Sequence, residues 1–221
     1  MKKFLFLGLL LFSLTAWAET IQLMVLGDSL SAGHGLDSKD SFGAQLNQAL
    51  LQDGYDIKVF NYSRSGETSA GGVKKLKKAL AQNPNAVVLE LGINDALQKV
   101  PLEETNKNLQ TIITTFADNG IPVFLIGMEA PTNLSDKYRD GFRQMYADLA
   151  LENELLLYPF FMAGLWKEDG SHVSPDYFLA DKVHPSVQGV SEIVRRIHPA
   201  INQFLQEDVI APAEDEPKKD N

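Results

Sequence analysis

The chain has 221 residues, no cysteine and a formal net charge of −9 at pH 7. The lack of thiols excludes a disulfide framework, a cysteine-held metal and a lipid-modified cysteine anchor. The acidic balance repels phosphate backbones and anionic membrane faces, so no nucleic acid is expected as a partner.

In chain order, Lys2 and Lys3 precede the apolar run Phe4–Leu14, and Ala16-Trp17-Ala18 puts small residues where a signal peptidase reads. This predicts a secretory signal peptide over 1–18 and a mature chain from Glu19. Loss of Lys2 and Lys3 takes the net charge from −9 to −11. The apolar run is too short to span a bilayer comfortably and no later segment comes close, so no stable membrane insertion is expected.

Short apolar runs of strand length follow at Ile21–Leu26, Ile57–Tyr62, Ala86–Leu91, Ile121–Gly127 and Leu155–Phe160. Several are nearly continuous in Val, Ile and Leu, the mark of parallel strands covered on both faces. Helical stripes lie between them: Phe42, Leu46, Ala49 and Leu50; Val73, Leu76 and Leu80; Leu109, Ile112, Ile113 and Phe116; Tyr138, Phe142, Met145 and Leu149, with Ser135 as N-cap. A last stripe runs from Val187 through Ile193, Ile197 and Ile201 to Phe204, with Pro199 expected to kink it. Lys74, Lys75, Lys77 and Lys78 alternate with apolar residues and read as the solvated face of a helix. The alternation predicts one α/β domain over 19–206, a three-layer α/β/α sandwich on a five-stranded parallel sheet. Residues 207–221 are charged, proline-containing and aperiodic, and read as an acidic disordered tail.

In such a sheet, ligands bind beyond the carboxyl ends of the strands. After the first run comes Gly27-Asp28-Ser29-Leu30, after the second Ser63-Arg64-Ser65-Gly66-Glu67, and after the third Gly92-Ile93-Asn94-Asp95. Ser29 offers a hydroxyl nucleophile at a helix start, Gly66 an accessible backbone N–H, and Asn94 an amide donor. A serine needs a base. Of the four histidines, His34 follows the serine turn too closely to reach back easily, and His198 lies within the last helix. Asp169/His172 and Asp181/His184 each place an aspartate three residues before a histidine, where it can orient the ring. The second pair is preferred, because Pro185 and a long helix follow it and fix its geometry. No histidine cluster has metal-ligand spacing, so neither a metal nor a cofactor is expected. A module that holds a phosphate or nucleotide in the glycine-bearing first loop is a non-enzyme alternative, although Asp28 opposes an anion there.

Gly27-Asp28-Ser29-Leu30, Gly66, Gly92-x-Asn94-Asp95 and Asp181-x-x-His184-Pro185, in this order, resemble the SGNH (GDSL) hydrolases. The surrounding text is similar to the bacterial branch of periplasmic arylesterases and thioesterase/lysophospholipase enzymes, from about Ile21 to Leu205. The resemblance implies a flavodoxin-like fold and a periplasmic serine esterase acting on small to medium acyl esters, with thioesters and lysophospholipids as further substrates. It implies Ser29 as nucleophile, His184 as base, Asp181 as orienting carboxylate, and Ser29, Gly66 and Asn94 as the oxyanion hole. An O-acetylesterase on envelope polysaccharide would use the same residues. Two departures are Glu67, where aspartate is expected, and Ile93, where glycine is usual. Ala163–Leu179 is longer than in those relatives, and Ile93, Trp166, Tyr177 and Phe178 are candidate substrate-lining residues. For those aromatics, packing the loop onto the core is the equal alternative.

Overall fold

In the computed structural model, residues 20–167 and 170–210 are described. The expected signal peptide and most of the expected tail lie outside them. A parallel five-stranded sheet has the order β2-β1-β3-β4-β5, with β1 at Ile21–Gly27, β2 at Ile57–Asn61, β3 at Ala86–Glu90, β4 at Val123–Ile126 and β5 at Leu157–Tyr158. β3 and β4 are buried along their whole length, which explains their unbroken apolar sequence. β5 spans only two half-buried residues at the sheet edge, much less than the apolar run Leu155–Phe160 predicted. Only Leu157 and Tyr158 find partners, opposite Leu125 and Ile126 of β4, so the apolar run outlasts the ladder.

α1 (Ser29–Ala32) and α2 (Phe42–Gln52) follow β1, α3 (Ser69–Leu80) follows β2, α4 (Ile93–Leu97) and α5 (Leu102–Ala117) follow β3, α6 (Asp136–Glu152) follows β4, and α7 (Val187–Phe204) closes the chain. α2 packs with α7, while α3 and α6 each pack with α5, so two helical layers enclose the sheet. α1 and α4 are too short to show a periodic stripe. Ser135 caps α6 as expected, accepting from the Tyr138 N–H at 3.3 Å. On α3, Lys74, Lys77 and Lys78 are exposed as predicted, but Lys75 is half-buried. Its Nζ lies 3.0 Å from Glu67 Oε2 and donates to the Tyr62 carbonyl at 2.9 Å. The basic cluster is therefore not a wholly solvated face: a buried glutamate draws one of its lysines inward.

The helical chain continues through Pro199 and, by a π-turn over Leu205–Ile210, past the boundary expected at 206. Leu205 is buried and Val209 packs against the core, which holds these first tail residues in place. Among the described residues, no helix is long and apolar enough to cross a membrane.

Candidate active site

The strand order reverses between β1 and β3, and the crevice beyond their carboxyl ends is where an open parallel sheet receives a ligand. β1 ends at Gly27 and passes through Asp28 into α1, which makes Ser29 the first residue of a helical turn. Asp28 caps that turn, its Oδ1 accepting from the Leu30 N–H at 2.9 Å. Gly27 stands beside Glu90 of β3 in the ladder. A Cβ on Gly27 would lie 2.6 Å from Glu90 Oε2 and collide with Ser31 Oγ, so the close approach of β1 to this carboxyl requires glycine.

Ser29 Oγ is 3.0 Å from His184 Nε2, and His184 Nδ1 is 2.7 Å from Asp181 Oδ2. The second contact follows from the spacing, because the turn folds Asp181 back on itself. Its Oδ1 accepts from the Val183 N–H at 2.9 Å and the His184 N–H at 3.0 Å. These two donors, with the histidine ring after them, hold the Asp181 carboxyl down at about 2. The turn is fastened on both sides. The Leu179 N–H donates to the His184 carbonyl at 2.8 Å, and the Ser186 N–H to the Tyr177 carbonyl at 2.9 Å. Ser186 then caps α7 through the Gly189 N–H at 3.2 Å.

The rival pair does not take this place. Asp169 lies outside the described residues, and the His172 ring stacks on Phe178 with centroids 3.8 Å apart and meets the Trp166 ring at 4.5 Å.

Gly66, between β2 and α3, has φ +77° and open space where a Cβ would stand, which leaves its backbone approachable. Asn94 lies on α4, with its Nδ2 donating to Asp28 Oδ2 at 3.2 Å and to the Glu67 carbonyl at 2.9 Å. The amide is thus oriented from two directions. An oxyanion would draw on it by sharing one of these hydrogens.

Sequence reasoning missed what lies beneath the serine. Asp28, Glu90 and Asp95 are all at most 1% exposed. Glu90 Oε2 accepts from Ser31 Oγ at 2.7 Å and from the Asp28 N–H at 3.3 Å. Burial pushes the Asp28 carboxyl up to about 7, and burial together with the neighbouring Asp28 charge pushes Glu90 well above the ordinary carboxylate range. Near neutrality the pair retains a proton. The available signal was Glu90 itself, a charged residue ending an otherwise apolar buried strand.

The expected lining residues separate. A depression of about 360 Å³ beside the Asp181–His184 turn is lined by His172, Pro175, Phe178, Leu179, Ala180 and Lys182. Phe178 belongs to it, whereas Trp166 meets Phe178 ring to ring at 5.2 Å, and Tyr177 and Ile93 pack half-buried against the core. Within Ala163–Leu179, Trp166 and Phe178 thus do the loop-packing work that sequence left open.

A hydroxyl, an imidazole and a carboxylate in series, with amide donors nearby, form an arrangement equipped for acyl transfer. The sequence model of the GDSL-like Lipase/Acylhydrolase family matches residues 25–191. The chain is 33% identical over 205 residues to an arylesterase of Vibrio mimicus, covering 91% of this chain and 94% of that protein. It is 34% identical over 186 residues to the thioesterase 1/protease 1/lysophospholipase L1 of Escherichia coli K12, covering 83% of each. The crystal structure of TesA superposes with a TM-score of 0.76 at 33% identity, covering 83% of this chain and 99% of that one. With the family model matched over most of the chain, relatives matched over most of their length and the fold shared, this protein belongs to the GDSL-like (SGNH) hydrolases and is a carboxylic ester hydrolase.

Proposed function

We propose that the chain hydrolyses small to medium acyl esters in two steps through a Ser29 acyl-enzyme. The observation that carries this reading is the unbroken line Asp181–His184–Ser29, with contacts of 2.7 and 3.0 Å. His184 Nε2 takes the Ser29 Oγ proton as Oγ attacks the ester carbonyl carbon. Negative charge gathers on the carbonyl oxygen, which the N–H groups of Ser29 and Gly66 and the Asn94 amide receive. As the tetrahedral species collapses, His184 passes the proton to the leaving alkoxide or thiolate. Water then attacks the acyl carbon, its proton goes to His184, and Ser29 leaves with that proton restored. Asp181, with its carboxyl held at about 2, stays ionised throughout and stabilises the imidazolium in each half-reaction.

The depression at Phe178 and Leu179 supports a modest apolar group beside the base. The arylesterase and thioesterase/lysophospholipase relatives support oxygen esters first, with thioesters and lysophospholipids as further substrates. Phosphate or nucleotide binding in the first loop fits poorly, because the loop holds a buried carboxylate and the chain is an ester hydrolase. Lys2, Lys3, Phe4–Leu14 and Ala16-Trp17-Ala18 support export by a cleaved signal over 1–18 and work in the periplasm.

The test is hydrolysis of p-nitrophenyl esters from acetate to palmitate by the protein and by Ser29→Ala. We expect a loss of at least about 10⁴-fold in the variant and an optimum at short to medium chains. Equal rates from both proteins would remove Ser29 from the chemistry, and activity on acetyl groups alone would select a deacetylase.

A further inference from the structure

His34 precedes His184 by 150 positions and sits just past the serine turn, yet its ring lies against that of His184. The centroids are 4.4 Å apart and the planes inclined by 39°. The α1 turn places it there: the His34 N–H donates to the Ser29 carbonyl at 3.1 Å, and His34 Nδ1 lies 3.4 Å from Ser65 Oγ. One ligand-capable atom each from His34, Asp181 and His184 lies within 4.8 Å of the other two. His34 and Asp181 are exposed and His184 is partly so, which gives an ion a path from solvent. Two imidazoles and one carboxylate suit zinc-class divalent ions and not the all-oxygen chemistry of Mg²⁺ or Ca²⁺. On one tetrahedral zinc such atoms stand roughly 3.3 Å apart, a contraction that rotation of the exposed side chains can supply.

We propose that His34, Asp181 and His184 form an inhibitory site for Zn²⁺-class divalent ions. Both ring nitrogens of His184 are already engaged, Nδ1 by Asp181 and Nε2 by Ser29. Coordination through either one therefore breaks a bond that proton transfer uses, and the ion stops the enzyme reversibly. The inhibitory half rests on His184 being the base. The binding half does not.

Chelator-treated enzyme is titrated with Zn²⁺ while p-nitrophenyl acetate hydrolysis is followed. His34→Ala and His34→Gln are each read relative to their own metal-free rate, and Ser29→Ala corrects for hydrolysis by free metal. Binding is measured separately on the Ser29→Ala protein, by calorimetry with Zn²⁺ and by the visible spectrum of Co²⁺. We expect inhibition at micromolar Zn²⁺ that EDTA reverses. Both His34 variants should need at least about tenfold more metal, since removing even an outer partner of a metal ligand costs 10- to 100-fold. His34→Ala in the Ser29→Ala background should weaken binding by a similar factor. Equal sensitivity in all His34 variants, or no binding by Ser29→Ala, would overturn the site. Binding that depends on His34 but leaves the wild-type rate untouched at saturation would uphold the metal site, and would overturn both the inhibition and the assignment of His184 as base.

Discussion

Ser29 and His184 meet across 3.0 Å, but they arrive from opposite kinds of structure. Ser29 rises from a β1 whose Leu23–Leu26 segment is 0% exposed, above carboxyls that are themselves buried. His184 and Asp181 sit on a surface turn held by a few backbone hydrogen bonds, with the Asp181 side chain 43% exposed. The Ser29 half of the site is thus part of the core, whereas the His184 half is a local device. Orientation costs little in the second case because the four-residue turn Asp181–His184 supplies it. In the first case it is tied to the stability of the whole sheet.

The largest expected effect separates these halves most sharply. His184→Ala should lower kcat/KM by roughly 10⁴- to 10⁶-fold and shift unfolding free energy by only about 1 kcal/mol, the worth of its exposed hydrogen bond to Asp181. Urea unfolding alongside the rate assay checks both numbers. A loss of several kcal/mol would mean that the turn belongs to the core after all. Asn94→Ala should be milder in rate, about 10²- to 10³-fold in kcat, yet worse in stability. It strips Asp28 Oδ2 of a donor at a site that is 0% exposed, which costs about 1–3 kcal/mol. If Asn94→Ala proves as stable as His184→Ala, the contrast fails.

The buried carboxyls sharpen the comparison through pH. The folded protein keeps protons on Asp28 and Glu90 where the unfolded chain has released them, the Asp28 carboxyl shifting from 3.8 to about 7. The native state therefore binds more protons in this range, and unfolding free energy falls as pH rises from about 4 towards 7. Each such group contributes at most about 1.4 kcal/mol per pH unit. Glu90→Gln removes one of them while its amide oxygen can still accept from Ser31 Oγ and the Asp28 N–H. Its stability relative to wild type should therefore rise between pH 5 and pH 8, as read by denaturant midpoints. A constant difference would show that Glu90 is already ionised in the folded protein at pH 5. Asp181 works with the opposite sign: its depressed carboxyl contributes stability at neutral pH that is lost only as pH falls towards 2. Because it is substantially exposed, that contribution is small.

This contrast also explains what the sequence could disclose. Asp181 and His184 were legible because their geometry is local: at this spacing a single turn brings carboxylate and ring together. Ser29, Gly66 and Asn94 were legible because parallel strands put their carboxyl ends at one edge. β5 was overread, since its apolar run is half-buried edge and only Leu157–Tyr158 pair. α4 left no stripe because it spans five residues. The contact of His34 with His184 left no trace at all, since it joins a turn after β1 to a turn before α7. Long-range juxtapositions of this kind are fixed by the closing of the sheet layers and carry no spacing that can be read.

The smallest effect tests whether the base-bearing turn is as independent as the comparison holds. Lys182 sits between Asp181 and His184 at φ +60°, the left-handed region that disfavours a side chain. A non-glycine residue there costs roughly 1–2 kcal/mol, and glycine gives back about 0.5–1 kcal/mol through its freer unfolded chain. Lys182→Gly should accordingly stabilise the protein by under about 1 kcal/mol, with kcat/KM within about twofold, because the bonds to Asp181 that orient His184 come from the backbone N–H groups of Val183 and His184 and from the His184 ring itself. A large loss of activity without loss of stability would show that the Lys182 side chain, not the backbone of the turn, sets the angle of the ring.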